Sequence, residues 1–377
     1  MARISGNRRA TLLSTQTIIN IALFSTLCYL WFSSRFVLSA RDRLKQRQQQ
    51  EDQTGITLTT NPEPLQSLGA VVLLAPPRKA VTWWNDISRF CFLMRAVRSI
   101  DEHLNAHYGP YPIYVLLAKD YEQNPLSELE APYTEQDKAL IRSWAPHSEV
   151  VFLEINMYTE DALEPDTTVK QILGWRKGLD GAVAGRDLGY TSMCRLWSGR
   201  LQMMDFMQNF KYYMRLDDDS LFTSKLEFDP FETMKEKGLH YAWKRNAHDK
   251  WGISKLFEVI DRHVELRAGL PFVTGNGRPF GAQGMQPYNN FHVASVEFWS
   301  SPKWQAFWDD LNKEHAFYKY RVGDANVHAA TVMMLEETHA YEQWPALPYV
   351  HNTNDMPVGW GKKSWKNECD AAEQAQS

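Results

Sequence analysis

The stretch KYYMRLDDDSLF, Lys211–Phe222, runs aromatic and aliphatic residues straight into three consecutive aspartates. The β-favouring residues from Phe210 to Leu216 predict a buried strand. Three carboxylates at its end repel one another unless water, a cation or a basic partner lies between them. Residues two apart in a strand point the same way, so Asp217 and Asp219 are expected to face one ligand and Asp218 another direction. Such hard oxygen donors suit Mg²⁺ or Mn²⁺, ions usually shared with a substrate phosphate. The plainer alternative is an acidic turn after a strand.

Working outward, Gly69–Ala75, Pro112–Ala118 and Glu149–Ile155 read as further strands, the first apolar enough to be buried on both faces. Helical spacing predicts helices over Ile87–His107, Thr134–Trp144 and Thr191–Asn209. Downstream, Leu239–Lys244 and Phe291–Trp299 read as strands, and Trp251–Leu270, Pro302–Tyr318 and Gly323–Leu335 as helices. Alternating strands and helices predict an α/β fold with a mostly parallel central sheet flanked by helices. Ligands of such sheets bind beyond the carboxyl ends of the strands, where the aspartates fall. The glycines of PFVTGNGRPFGAQGMQPYNN, 271–290, match a dinucleotide fingerprint poorly, since no strand leads directly in and Pro279 interrupts it.

The 377 residues carry a net charge of −4, which points to no nucleic-acid partner. Aromatic residues make up 13%, a weak pointer to sugar rings. Cys28, Cys91, Cys194 and Cys369 have no CxxC spacing, which excludes a zinc ribbon and leaves the pairing open. Thr11–Ser34 is uncharged and apolar enough to span a bilayer once. The expected organisation is a short cytoplasmic tail at 1–10, a signal anchor at 11–34, a polar Gln-rich stem at 35–66 and a lumenal domain at 67–377. A signal peptide cleaved near Leu38-Ser39-Ala40 is the alternative.

Several stretches together resemble glycosyltransferase family 15, the fungal α-1,2-mannosyltransferases. They are CFLMRAVRSIDEHLNAHYGPYPIYVLLAKD (91–120), LGYTSMCRLWSG (188–199), YYMRLDDD (212–219), YNNFH (288–292) and RVGDANVHAA (321–330). The resemblance implies a GT-A-like fold, a type II Golgi anchor, GDP-mannose as donor and Mn²⁺. It also implies retaining transfer of mannose to a mannose-type hydroxyl of a glycoprotein or glycolipid acceptor.

Carried over residue by residue, the resemblance makes Asp217 and Asp219 metal ligands and His328 the second metal-binding residue type. Asp217 stands for the family's glutamate and Asp218 for its proline. His292 stands where the family has a carboxylate beneath the sugar, so His292 and Asp219 are the expected catalytic positions. A neutral imidazole cannot replace that carboxylate, which leaves front-face attack, altered specificity or lost activity. Glu297 is a nearby carboxylate, but an odd spacing along a regular strand would aim it to the other face. Arg215, Tyr190, Tyr288, Asn290 and Asp324 are the expected nucleotide-sugar contacts, with Trp197, Lys244 and Arg245 as further candidates. The competing readings are a GT-A enzyme for another nucleotide sugar, a carbohydrate-binding pseudoenzyme, and a metal-dependent phosphoesterase.

Overall fold

The computed structural model describes residues 67–80, 88–123, 131–176, 188–248, 252–266, 285–334, 340–351, 367 and 369–371, with the backbone alone at 261–266, 285 and 332–334. The expected tail, anchor and stem lie outside these residues, as does the glycine-rich stretch up to residue 284. Among the described residues no helix is long and apolar enough to cross a membrane.

The strands are β1 (Ser67–Leu74), β2 (Ile113–Ala118), β3 (Val150–Ile155), β4 (Phe210–Leu216), β5 (Ser220–Phe222), β6 (Tyr241–Trp243), β7 (Asn246–His248), β8 (Met285–Pro287), β9 (Phe291–Ser295), β10 (Tyr341–Gln343) and β11 (Tyr349–His351). The longer helices are α1 (Arg89–Ile100), α2 (Glu135–Ser143), α3 (Val169–Arg176), α4 (Leu188–Arg195), α5 (Pro230–Lys237), α6 (Ile253–Leu266), α7 (Pro302–Lys313), α8 (Ala316–Tyr320) and α9 (Asp324–Met334).

A seven-stranded sheet runs in the order β3-β2-β1-β4-β9-β6-β10. β9 is antiparallel to β4 and β6, and the remaining pairings are parallel, so the sheet is mixed but mostly parallel. Both faces are covered, which fits a β1 that is apolar from Leu68 onward. Val71, Leu73, Met214 and Val293 pack beneath α1 and α5. Ala70, Val72, Tyr213 and Ala294 pack against α4, α7 and the aromatic residues around Trp197. The expected α/β architecture is therefore present, with the aspartates at the carboxyl end of β4.

Three predicted elements are broken for local reasons. The strand expected to reach Trp299 stops at Ser295, whose hydroxyl accepts from Phe298 N–H and caps a helical turn at Val296–Trp299. The helix expected over Thr191–Asn209 widens into a π-turn at Leu196–Arg200 and then tightens into 3₁₀ turns. There Gly199 packs under Trp308 so closely that a Cβ would lie 2.7 Å from the indole. The helix expected over Pro302–Tyr318 divides into α7 and α8 at His315, which takes a left-handed φ of 52°.

Two long-range contacts tie the C-terminal residues to this frame. β5 pairs antiparallel with β11, which sets His351 opposite Ser220 at the edge of the acidic turn. Cys91 in α1 is disulfide-bonded to Cys369 near the C-terminus, and Cys194 is a buried free thiol. The bridge closes a loop across 278 positions. Cross-linking so long a loop restricts the unfolded chain strongly, so Cys369→Ser is expected to cost about 3 to 5 kcal/mol. Differential scanning calorimetry should show the transition falling by about 10 °C.

Candidate active site

β4 ends by handing its chain to a tight acidic turn. Asp217 N–H donates to Asn290 C=O at 3.1 Å, and Ser220 N–H returns to Asp217 C=O at 3.0 Å. The turn sorts the three carboxylates. Asp217, Asp219 and His351 bring their donor atoms within 4.8 Å of one another. The His351 imidazole lies 3.2 Å from Asp219 and 2.9 Å from Ser220 Oγ through its Nδ1. Asp218 turns away and accepts from both Nε and Nη2 of the Arg89 guanidinium. Among the described residues, this is the group whose chemistry fits a divalent ion: two carboxylates and an imidazole at the rim of a buried turn.

Electrostatics support that fit. Burial pushes the Asp218 and Asp219 carboxyls above the ordinary carboxylate range; Arg89 opposes this, and neighbouring carboxylates reinforce it. Arg215 lies beneath the turn, 2% exposed, with Nη2 2.8 Å from Asp217 and Nη1 bonded to Asp324. Its guanidinium lies 4.5 Å from the Trp197 ring centroid. Burial raises the Asp324 carboxyl, but Arg215, His328 and hydrogen bonds outweigh it and hold that carboxyl below the usual range. When ionised, Asp217, Asp218, Asp219 and Asp324 have Arg89 and Arg215 as their permanently charged partners among the described residues. The deficit is the charge of one divalent cation.

Both histidines singled out in the sequence are core residues. His328 is fully buried on α9, its Nε2–H donating to Trp197 C=O at 3.1 Å and its Nδ1 accepting from Tyr241 O–H at 3.2 Å. That corrects its expected role as metal ligand: both ring nitrogens are spent inside the core, and His351 stands beside the aspartates instead. His292 is also fully buried, donating from Nδ1 to Asn289 C=O at 3.1 Å and accepting from Tyr213 O–H at 3.1 Å. Its ring packs among Trp197, Tyr213, Tyr241 and His328. The expected catalytic position of His292 is thereby corrected: it is an aromatic packing residue that pins the turn before β9, closed off from any substrate.

Burial, above all, keeps both imidazoles neutral. It lowers the His328 pKa to about 4 and that of His292 well below the ordinary value, with His328 and Arg215 adding to the latter. In the unfolded chain both histidines protonate near pH 6.5. A depressed folded pKa means that the unfolded state binds more protons below that pH. The stability contributed by these two neutral rings is therefore complete above about pH 6.5 and falls as pH drops towards 4, by roughly 3 kcal/mol for His328 alone. The raised carboxyls of Asp218, Asp219 and Glu164 act in the opposite sense, so the histidine contribution is read as a difference: in urea titrations from pH 7.5 to 4.5, the stability of the parent relative to His292→Phe should fall as the pH falls.

The other expected site residues divide. Tyr288 is at the rim, with the Arg245 guanidinium 4.5 Å from its ring centroid and His351 edge-on at 5.5 Å. Lys244 binds Tyr349 C=O and lies over the Tyr349 ring. Asn290 is 4% exposed, and both atoms of its side-chain amide lack a hydrogen-bond partner. Tyr190 packs on the core beside Arg321, with no described contact to the aspartates. Glu297 is exposed on the helical turn after β9, near Tyr212 at the opposite end of β4 from the aspartates. The odd-spacing argument against it fails, since the strand has already ended, but its position removes it all the same. The missed residues are His351 and Arg89. The strand-like YVH triplet was the one signal for the first, and nothing local signalled the second.

Residues 81–376 match the model of the glycolipid 2-alpha-mannosyltransferase family. The chain is 28% identical over 196 residues to the O-glycoside alpha-1,2-mannosyltransferase omh1 of Schizosaccharomyces pombe, covering 49% of each. It is 22% identical over 302 residues to the glycolipid 2-alpha-mannosyltransferase of Saccharomyces cerevisiae, covering 71% of this chain and 62% of that one. The chain thus spans about half the length of the more similar relatives it matches. Among solved structures, it resembles core-mannan synthase A (CmsA/Ktr4) of Aspergillus fumigatus in its Mn/GDP form, with a TM-score of 0.61 at 15% identity over 84% of this chain and 87% of that one. Ktr4p of S. cerevisiae in complex with GDP gives 0.60 at 18% identity over 85% and 84%. These likenesses establish the glycosyltransferase fold.

Proposed function

Because this chain belongs to the glycolipid 2-alpha-mannosyltransferase family, we propose that it transfers mannose from GDP-mannose to a mannose-type hydroxyl of a glycoprotein or glycolipid. The bond formed is α-1,2, with retention of anomeric configuration, and the reaction depends on Mn²⁺. The observation that carries this reading is the Asp217–Asp219–His351 group at the carboxyl end of β4. The names of the relatives and the Mn/GDP and GDP states of the neighbouring structures support it.

Asp217, Asp219 and His351 would hold the ion. When bound, it supplies Lewis-acid stabilisation of the departing diphosphate. Arg215 orients Asp217 from below through their 2.8 Å contact. Arg245 and Tyr288 form a cationic, aromatic rim next to His351, suited to a nucleotide diphosphate. Neither His292 nor Glu297 offers a carboxylate beneath the sugar, which favours attack from the front face with the leaving phosphate as base. The tail, anchor, stem and lumenal domain expected from the sequence form a single-pass type II protein of the Golgi membrane. The Cys91–Cys369 bridge suits such an oxidising compartment.

Detergent-solubilised full chain, incubated with Mn²⁺, mannobiose and a panel of nucleotide sugars, tests the reading. Turnover is expected with GDP-mannose, and NMR of the product should show a new α-1,2 linkage. Binding of GDP-mannose without turnover, with mannose or mannobiose as acceptor, would instead indicate a pseudoenzyme. Hydrolysis of simple phosphoesters would indicate a phosphoesterase.

A further inference from the structure

Arg89, the first residue of α1, reaches Asp218 from 129 positions away. Its Nε lies 2.9 Å from one carboxylate oxygen and its Nη2 bonds to the other. Two parallel N–H bonds fix the plane of the carboxylate as well as its position. The Asp218 side chain is 9% exposed, whereas that of Arg89 keeps 35%, so the pair lies at the wall of the site with its cation outermost. The same guanidinium acts on Asp219 and Asp217. A third carboxylate in the run is therefore neither a metal ligand nor a solvated surface charge.

We propose that the Arg89–Asp218 pair is a built-in counter-charge that sets the affinity of the adjacent site for its divalent cation. The fork holds Asp218 out of the ligand set, and the guanidinium opposes the incoming ion. This rests on Asp217, Asp219 and His351 being the ion's ligands. A unit charge gained or lost beside those ligands, at partly buried positions, changes the binding constant of a divalent ion by about tenfold.

The two halves of the pair therefore have opposite effects. Arg89→Gln removes the opposing charge and releases Asp218, so Mn²⁺ binds about tenfold more tightly. Asp218→Asn leaves Arg89 unpaired beside the site, so Mn²⁺ binds about tenfold more weakly. The double variant returns to within about threefold of the parent. A merely structural pair would behave differently, because either single change would loosen the turn and weaken the ion.

The test is an EPR titration of free Mn²⁺ against the full chain, parent and variants, with melting temperatures recorded without metal. Opposite shifts in the two single variants, cancelling in the double, are the expected result. If both single variants weaken Mn²⁺ alike, or neither differs from the parent, the inference is overturned while the metal site stands. If the parent itself binds no Mn²⁺, the metal reading fails and this one with it. Should Arg89→Gln not fold, Arg89→Lys replaces it. Lysine keeps the charge without the fork and should bind Mn²⁺ within about twofold of the parent, whereas tenfold weakening overturns the proposal.

Discussion

His351→Ala is expected to lose at least about a hundredfold in Mn²⁺-supported transfer while melting within about 3 °C of the parent. The imidazole contributes a donor atom next to Asp217 and Asp219, and its side chain keeps 13% exposure where His328 keeps none. His328→Ala should do the reverse. It removes a fully buried ring and strands the Trp197 carbonyl, the Tyr241 hydroxyl and the more distant Asn289 amide, which that ring engages. The cost is about 3 to 5 kcal/mol, or a melting transition lower by about 10 °C. The protein that remains folded should keep its activity within about tenfold, since no donor atom of the site has gone. Initial rates with GDP-mannose, paired with calorimetry on the same preparations, separate the two histidines.

Arg215→Met is expected to lose both stability and activity. Among the described residues the guanidinium is the only cation bonded to Asp324, which is 5% exposed, and it also orients Asp217. Removing one partner of a buried ion pair leaves an uncompensated charge and costs about 3 to 5 kcal/mol. Removing both charges is cheaper, because nothing ionised is then left in the core. Arg215→Met with Asp324→Asn should therefore recover more than half of the loss in urea unfolding. Activity should not recover with it, since Asp217 still lacks the group that orients it. A single-variant loss below about 1 kcal/mol would show that the Asp324 charge is solvated and that the arginine is not central to the site.

These two predictions turn on contacts that differ in how readable they were from sequence. β4 and its aspartates are readable because the signal is local: a seven-residue run dominated by aromatic and aliphatic residues, and then three consecutive charges. The sheet was readable for the same reason, since β1, β2 and β3 are short apolar runs between amphipathic helices. The partners of the aspartates were not. His351 reaches them through the antiparallel pairing of β5 with β11, two three-residue strands too short to carry a pattern of their own. Arg89 reaches them from the start of the first helix, where an arginine beside Ser88 signals nothing about charge elsewhere. The motif that joins His328 to Asp324 points the histidine at the metal. Asp324 does join the site, through Arg215, but the α9 residue four positions on turns its ring to Trp197 and Tyr241. A motif position alone points His292 beneath the sugar. The pleat of β9 sets it on the aromatic face of the sheet, where burial and two hydrogen bonds fix it as neutral packing.

The proposed activity depends on Asp217, Asp219 and His351 holding the divalent cation. Pulsed EPR of Mn²⁺ bound to the full chain tests it most directly, because an imidazole ligand imprints a nitrogen modulation on the electron spin echo. The parent and His328→Gln should both show that modulation, and His351→Gln should lose it together with most of its Mn²⁺ affinity. A modulation that persists in His351→Gln and vanishes in His328→Gln would contradict the assignment.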